Sequence, residues 1–360
     1  MYIIFRYLTR QVLVGMLAVT GVLLLVFMSG RFIKYLGQAA SGELSGDVLF
    51  AIMAYRLPDF LELILPLGLF IGILLAYGRM YLDSEMAVLF ACGVSDRQII
   101  GQTMIASLFV TAIVAVMSLY LSPWGMRQVQ QIFVEQSKKT EFEMLAPGRF
   151  QSLESGDRVT YTESLSEDKQ ELRKVFIAQP DKGGMVLLSA RSGTQFVDQE
   201  TGSRFLVLHD GTRFSGIPGQ LDFKATTFNA YGLKIGEVEG GRVKRFEDAT
   251  PTAELIASDD LKERAQFHWR LALPLIVPVV TLLAIRLSRV NPRQGRFFHL
   301  LPAMLIYITY LGMLIGARDA LAKGKIPEWM GLWWVHLLFL IIALLLQFGP
   351  DLKRRRSAHA

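Results

Sequence analysis

The chain has 360 residues, 52% of them hydrophobic, and a mean hydropathy of +0.35. That is too apolar for an ordinary soluble protein, in which apolar residues, glycine included, make up about 45–50%. Charged residues form 19% of the chain and are dense only from Arg127 to Arg270, so its parts are built for different solvents. The net charge of +6 sits in short basic clusters beside apolar runs, which marks membrane topology rather than a nucleic-acid surface, and the single cysteine, Cys92, excludes an intramolecular disulfide.

A bilayer core about 30 Å thick takes about 20 mostly apolar helical residues. Gln11 to Gly30 is the first such run. Arg6 and Arg10 before it imitate a signal peptide, but the run is long and no small-residue cleavage site follows, so it reads as a retained helix. Val48 to Tyr77 is the second span and carries Arg56, Asp59 and Glu62 at i, i+3 and i+6. Charges at membrane depth are costly unless paired or facing water, so these three are expected to form a structural polar cluster, with Arg56 paired to Asp59.

Between the second and third spans, Asp83 or Ser84 can cap a helix, Glu85 suits its first turn and Gly93 can end it, predicting a short helix at about 83–93 with an apolar exposed face. Such a helix either lies on lipid or docks into a groove of a cytoplasmic ATPase, with Glu85 meeting a basic residue there. Ile99 to Leu121 is the third span, with Pro123 and Trp124 as its expected stop and interfacial anchor.

From Phe150 to Gly236 the pattern changes to short β-branched and aromatic runs, starting at Arg158, Leu172, Met185, Arg204 and Leu221, separated by turn residues. They predict an all-β sandwich or open barrel, with one strand, Arg204 to His209, ending at a turn on Asp210 and Gly211. The polar segment Glu237 to Arg264 leads back to the membrane. Leu271 to Ile285, with Pro274 and Pro278 inside, extends back through Trp269 as span four. Phe297 to Ala317 and Trp329 to Phe348 are spans five and six, the latter followed by the basic tail Lys353 to Arg356. Three parts result: residues 1–121 with spans one to three and the short helix, 122–268 with the β domain and its connectors, and 269–360 with spans four to six. With the N-terminus inside, Arg6, Arg10, Arg79, Arg97, the loop Arg286 to Arg296 and the tail all face the cytoplasm. The short loops opposite then hold only Arg31, Lys34, Arg318, Lys323 and Lys325, so both termini are expected in the cytoplasm and the β domain outside.

There is no G-x-x-x-x-G-K-[ST] loop, no H-E-x-x-H and no argued nucleophile triad. No catalytic, metal or cofactor site is expected.

Three motifs together resemble the LptF/LptG permeases of lipopolysaccharide export: Ser84 Glu85 through Ala91 Cys92 Gly93; Asn291 Pro292 Arg293 Gln294 Gly295 Arg296 followed by Leu301 Pro302 Ala303 Met304; and Gly211 Thr212 Arg213 Phe214. The first two are closer to the LptF branch, and the resemblance covers essentially the whole chain. It implies six spans in a three-plus-three arrangement with a periplasmic β-jellyroll. It also implies an ATP-binding-cassette exporter in a Gram-negative inner membrane, working as a heterodimer with an LptG-like permease. An LptB-like ATPase dimer would hold ATP and Mg, and an LptC-like partner would begin a periplasmic bridge. Lipopolysaccharide would be extracted from the outer leaflet into a cavity between the permeases, then passed to the β domain.

Under this resemblance Glu85 matches the coupling-helix acid, and Phe90 adds apolar contact with the ATPase. Arg31 and Lys34 match basic cavity positions suited to lipid A phosphates, although as residues alone they read equally as snorkelling cations. Arg318 at the outer end of span five is a further substrate-binding candidate, beside a lateral gate formed with the partner's first span, and Arg213 another on the lipid path, although it reads equally as a solvated strand residue. Phe196, Phe205 and Phe214 are expected in the β core. Two alternatives share the topology: a membrane-anchored assembly or sensing protein, and an exporter of another amphiphile such as a lipoprotein.

Overall fold

The structure is a computed structural model that describes residues 2–40, 44–138, 148–153, 158–166, 171–181, 184–197, 204–217, 219–220, 223–236, 247–289 and 300–357. The chain divides into two compact units. One comprises Met1–Gly30, Ala54–Val129 and Phe246–Ala360; the other comprises Arg31–Met53 and Gln130–Arg245.

The first unit is helical, because its sequence is apolar over lengths that only a helix can carry through lipid with every backbone group bonded. Helix α1 spans Tyr2–Ala40 and α2 Leu49–Leu82; both continue beyond the first unit. The short α3 covers Glu85–Ala91 and α4 covers Asp96–Val116. A π-helical turn, Met117–Leu121, joins α4 to α5, Ser122–Lys138. After the β domain come α6, Thr252–Ala257, then α7, Leu261–Leu287, α8, Leu300–Ala322, and α9, Trp333–Ser357.

Among the described residues five helices are long and apolar enough to cross a membrane, and the apolar part of α9, Trp333–Phe348, is a shorter sixth. Span four does extend back past Trp269, starting at Leu261. The expected stop at Pro123 is not a stop. Pro123 follows the wide π turn as the second residue of α5, where a missing N–H removes little and the helix runs on to Lys138.

Helix α7 is the centre of the packing: Ala272, Leu273, Ile276, Val277, Val280, Leu283 and Ala284 are all buried. Polar side chains tie neighbouring spans. The Tyr77 and Thr103 hydroxyls meet at 2.5 Å between α2 and α4, and the Tyr310 hydroxyl meets His336 Nδ1 at 2.6 Å between α8 and α9. Between α1 and α2 the contact is made by small residues. A Cβ added at Gly72 would lie 2.7 Å from the Met16 backbone nitrogen, and one at Gly15 would lie 3.3 Å from the Gly72 carbonyl. Gly68 and Gly72, four apart, thus bring two backbones together where larger residues would hold them off.

In the second unit six antiparallel strands pair strictly in chain order: β1 Phe150–Leu153, β2 Arg158–Leu165, β3 Glu171–Asp181, β4 Gly184–Val197, β5 Arg204–Gly216 and β6 Lys224–Gly236. The five expected strands are present, and β1 is an addition. The jellyroll-like domain is, among the described residues, one meander without a Greek-key crossover.

Its two-sidedness comes from a crease. Ladder pairing lapses along a row formed by Glu163, Lys174, Arg191, Asp210 and Asn229, while the register on either side is unchanged. Lys174 and Asp210 sit at φ 48° and 49° in the left-handed region, which is uncommon for non-glycine residues and turns the strand. Across the row the buried positions change parity, from Val186, Leu188 and Ala190 to Gly193 on β4, and from Leu172 to Val175 and Ile177 on β3. One apolar cluster then draws on both sides of the crease, joining Leu172, Leu206, Leu208 and Leu233 to Val175, Ile177, Val186 and Leu188. Asp210 and Gly211 therefore do not end a strand. The turn chemistry legible in the sequence folds the sheet across the middle of β5. On the surface of the crease Lys174 meets Glu163 at 2.7 Å, and that carboxylate raises the lysine above its ordinary pKa.

Candidate functional site

Four places hold the candidate residues. The first is α3. Its N-terminal neighbour Ser84 lies at φ 59° and makes no side-chain cap, contrary to expectation, while Gly93 at φ 86° ends the turn as expected. Met86 is fully buried and pins the helix to the bundle, while most of the other side chains around the helix are exposed. These include Ala87, Val88 (61% exposed), Phe90 (36% exposed), Ala91 and Cys92. The Glu85 carboxylate is half-buried, and its Oε2 accepts a 2.6 Å hydrogen bond from the Tyr7 hydroxyl of α1. An oriented acid beside exposed apolar side chains has the chemistry to meet a basic group on another surface. Tyr7 was not legible as part of it, since nothing in a sequence shows that α1 and α3 meet.

The second place is the C-terminal part of α1, where Arg31 and Lys34 are both exposed and one helical turn apart. Two cations so placed can reach one anionic headgroup, and the long stems let them rise to the interface.

The third is a buried polar cluster in the first unit. Glu62 on α2 is 5% exposed, and Arg56 and Asp59 are half-buried on the same helix. The charge facing Glu62 from another helix is Arg270 on α7, 2% exposed, which sequence reading missed because it stands at the polar edge of an apolar run. Arg270 donates from Nη2 to the Asp248 carbonyl at 2.8 Å and from Nη1 to the Thr252 hydroxyl at 2.9 Å. Arg318 joins the same group. Its Nη2 lies 3.4 Å from the Asp248 carboxylate, and its guanidinium lies 5.3 Å from the centre of the Trp269 ring. It is therefore a cation held between a carboxylate and an aromatic ring.

The fourth is in the β domain. Arg213 lies opposite Leu188 and Thr226 in the register, on the apolar face, with Asp181 at 3.5 Å and the Tyr231 ring centre at 6.0 Å. The aromatics expected in the core are not there. Phe196 is 57% and Phe214 38% exposed, and Phe205 is half-buried, because the inward positions of β5 belong to Leu206 and Leu208.

The Asn291 to Arg296 motif lies outside the described residues, as do the side chains of the tail. A groove of about 730 Å³ between α4, α7 and α9 is lined by apolar side chains such as Leu275, Val279 and Trp333, without a cation for an anionic headgroup.

Membrane-length helices grouped before and after an inserted all-β domain, with a short acidic and apolar helix after the second, define a multi-pass membrane protein of permease type. Residues 6–347 match the family described as lipopolysaccharide export system permease LptF/LptG, and the chain belongs to that family. It is 33% identical over 359 residues to the lipopolysaccharide export system permease protein LptF of Escherichia coli strain K12, covering 98% of this chain and 97% of that one. The same figures hold for the LptF proteins of Escherichia coli O157:H7 and of Shigella flexneri.

Proposed function

We propose that this chain is the LptF-type half of an ATP-binding-cassette exporter that extracts lipopolysaccharide from the outer leaflet of the inner membrane. It pairs with an LptG-like permease. An LptB-like ATPase dimer binds ATP and Mg and docks on α3, with Glu85 meeting a basic residue and Phe90 filling an apolar pocket. Both termini are cytoplasmic and the β domain is periplasmic, where it passes lipid to an LptC-like bridge.

In this reading Arg31 and Lys34 bind lipid A phosphates through charge-assisted hydrogen bonds, which Lys and Arg supply best where water is scarce. Arg318 helps to shape the cavity wall from its paired position, and Arg213 marks the path into the β domain. Closure of the ATPase moves α3, and Met86 transmits that movement because it is buried in the helical core.

The observation that carries the reading is the family match along nearly the whole chain, joined to an exposed apolar helix whose acid is already oriented. The test is co-purification with the partner subunits, identification of bound lipid by mass spectrometry, and transfer of that lipid between vesicles. Lipopolysaccharide that leaves the complex only with ATP supports the function; a lipid-free complex, or ATP-independent release, refutes it.

A further inference from the structure

We propose that Arg270 is a positioning residue for lipid hand-off, the centre of a latch that fixes Asp248–Thr252 to the helical unit; the proposal rests on the export reading above. Along the chain, Asp248 to Thr252 is where the β domain's return connector meets the helices. Motion that the helices send to the β domain through this connector has to pass through these five residues.

Four hydrogen bonds hold them. Two come from the Arg270 fork, to the Asp248 carbonyl and the Thr252 hydroxyl, and a third from Arg318 to the Asp248 carboxylate. In the fourth, the Thr252 hydroxyl donates to the Leu119 carbonyl at 2.7 Å. Leu119 belongs to the π turn, and so does Ser118, whose hydroxyl donates to the Arg270 carbonyl at 3.1 Å. A π turn alters the hydrogen-bond ladder of its helix and is frequent at functional sites. Here both of its polar contacts are spent on the latch.

Glu62 is a further polar neighbour and not part of the fork. It lies near Arg270, and its Oε2 has no hydrogen-bond partner. Residues of α2, the π turn, α7 and α8 thus converge on one short connector. Replacing buried charged and hydrogen-bonded groups with packed apolar ones is often neutral or stabilising, so stability alone is a weak reason to keep this cluster. Holding the connector in one arrangement relative to four helices gives the cluster a role that apolar packing would not fill.

The experiment uses the full complex in proteoliposomes containing lipopolysaccharide, with a photo-crosslinking residue at Ile33 to read loading and one at Thr226, opposite Arg213, to read arrival. The main variant is Arg270→Met with Glu62→Gln, which leaves no lone buried charge; Arg270→Lys and Thr252→Val are milder. With the double variant, ATPase rate and Ile33 adducts stay within about two-fold of the parent while Thr226 adducts fall at least about ten-fold. Arg270→Lys, which cannot span both acceptors, and Thr252→Val fall about three-fold. Unchanged Thr226 adducts in the double variant or in Thr252→Val overturn the latch, as does a parallel loss of loading, ATPase rate and arrival. Absence of ATP-dependent Thr226 adducts in the parent would instead refute the export reading itself.

Discussion

Glu85→Ala is the most direct perturbation of the proposed coupling, and its size follows from the contacts of the side chain. The carboxylate is half-buried and fixed at 2.6 Å by Tyr7, so its orientation is set before any partner arrives. A hydrogen bond to a charged group contributes about 1.5–3 kcal/mol. With about 1.4 kcal/mol per tenfold in affinity, losing such a contact to the ATPase weakens docking by about 10- to 150-fold. Partial exposure and salt screening place the effect near the lower end. Tyr7→Phe keeps the acid but frees it, which costs about 1 kcal/mol and about five-fold in affinity. Titration of the LptB-like ATPase onto nanodisc-embedded permease, with lipid export measured in parallel, separates the two variants. If Glu85→Ala binds the ATPase and exports lipid within about two-fold of the parent, α3 is not the coupling element and the lipid-surface role returns.

Gly72→Val puts a branched side chain where even a Cβ would lie 2.7 Å from the Met16 nitrogen; α1 and α2 must part, and thermal unfolding in detergent shows a loss of about 1–3 kcal/mol. Leu188→Ala empties a fully buried position that serves both sides of the creased sheet, destabilising the β domain by about 2–5 kcal/mol, read by a lower denaturant midpoint for that domain's transition. Lys34→Glu reverses a charge on an exposed turn, so it leaves folding unchanged while lowering lipopolysaccharide crosslinking at Ile33 several-fold, more strongly at low salt than at high.

Much of this architecture was legible because a bilayer and a sheet impose simple periods. Apolar runs of the required length located the spans, and turn residues located five strands. What escaped were features set by partners in space. Pro123 carries the usual stop signal, yet the π turn before it lets the helix continue. Asp210 and Gly211 carry turn chemistry, yet the left-handed residue creases a strand whose neighbours continue to pair on both sides. Phe214 was misplaced for the same reason, since the crease changes which parity faces inward, whereas Phe205 and its partner Phe196 alternate with the inward Leu206. In the candidate site, Glu85 and Phe90 were singled out from a local pattern, whereas Tyr7 and Arg270 belong to helices far away in sequence.

Charge illustrates why those long-range contacts matter for function. Sequence alone gives every cation near a span two readings, an ion pair inside the protein or a hand held out to lipid. The structure separates them by surroundings: Arg270 and Arg318 are tied to Asp248 and stacked or buried, while Arg31 and Lys34 remain on an exposed helical turn. A guanidinium enclosed among helices is harder for a phosphate to reach than one on an exposed turn, whose long stem lets it rise to the headgroups. The proposed headgroup binding accordingly falls to the exposed side chains near the C-terminal end of α1, and Arg270 and Arg318 are suited to transmitting movement through the bonds they already hold.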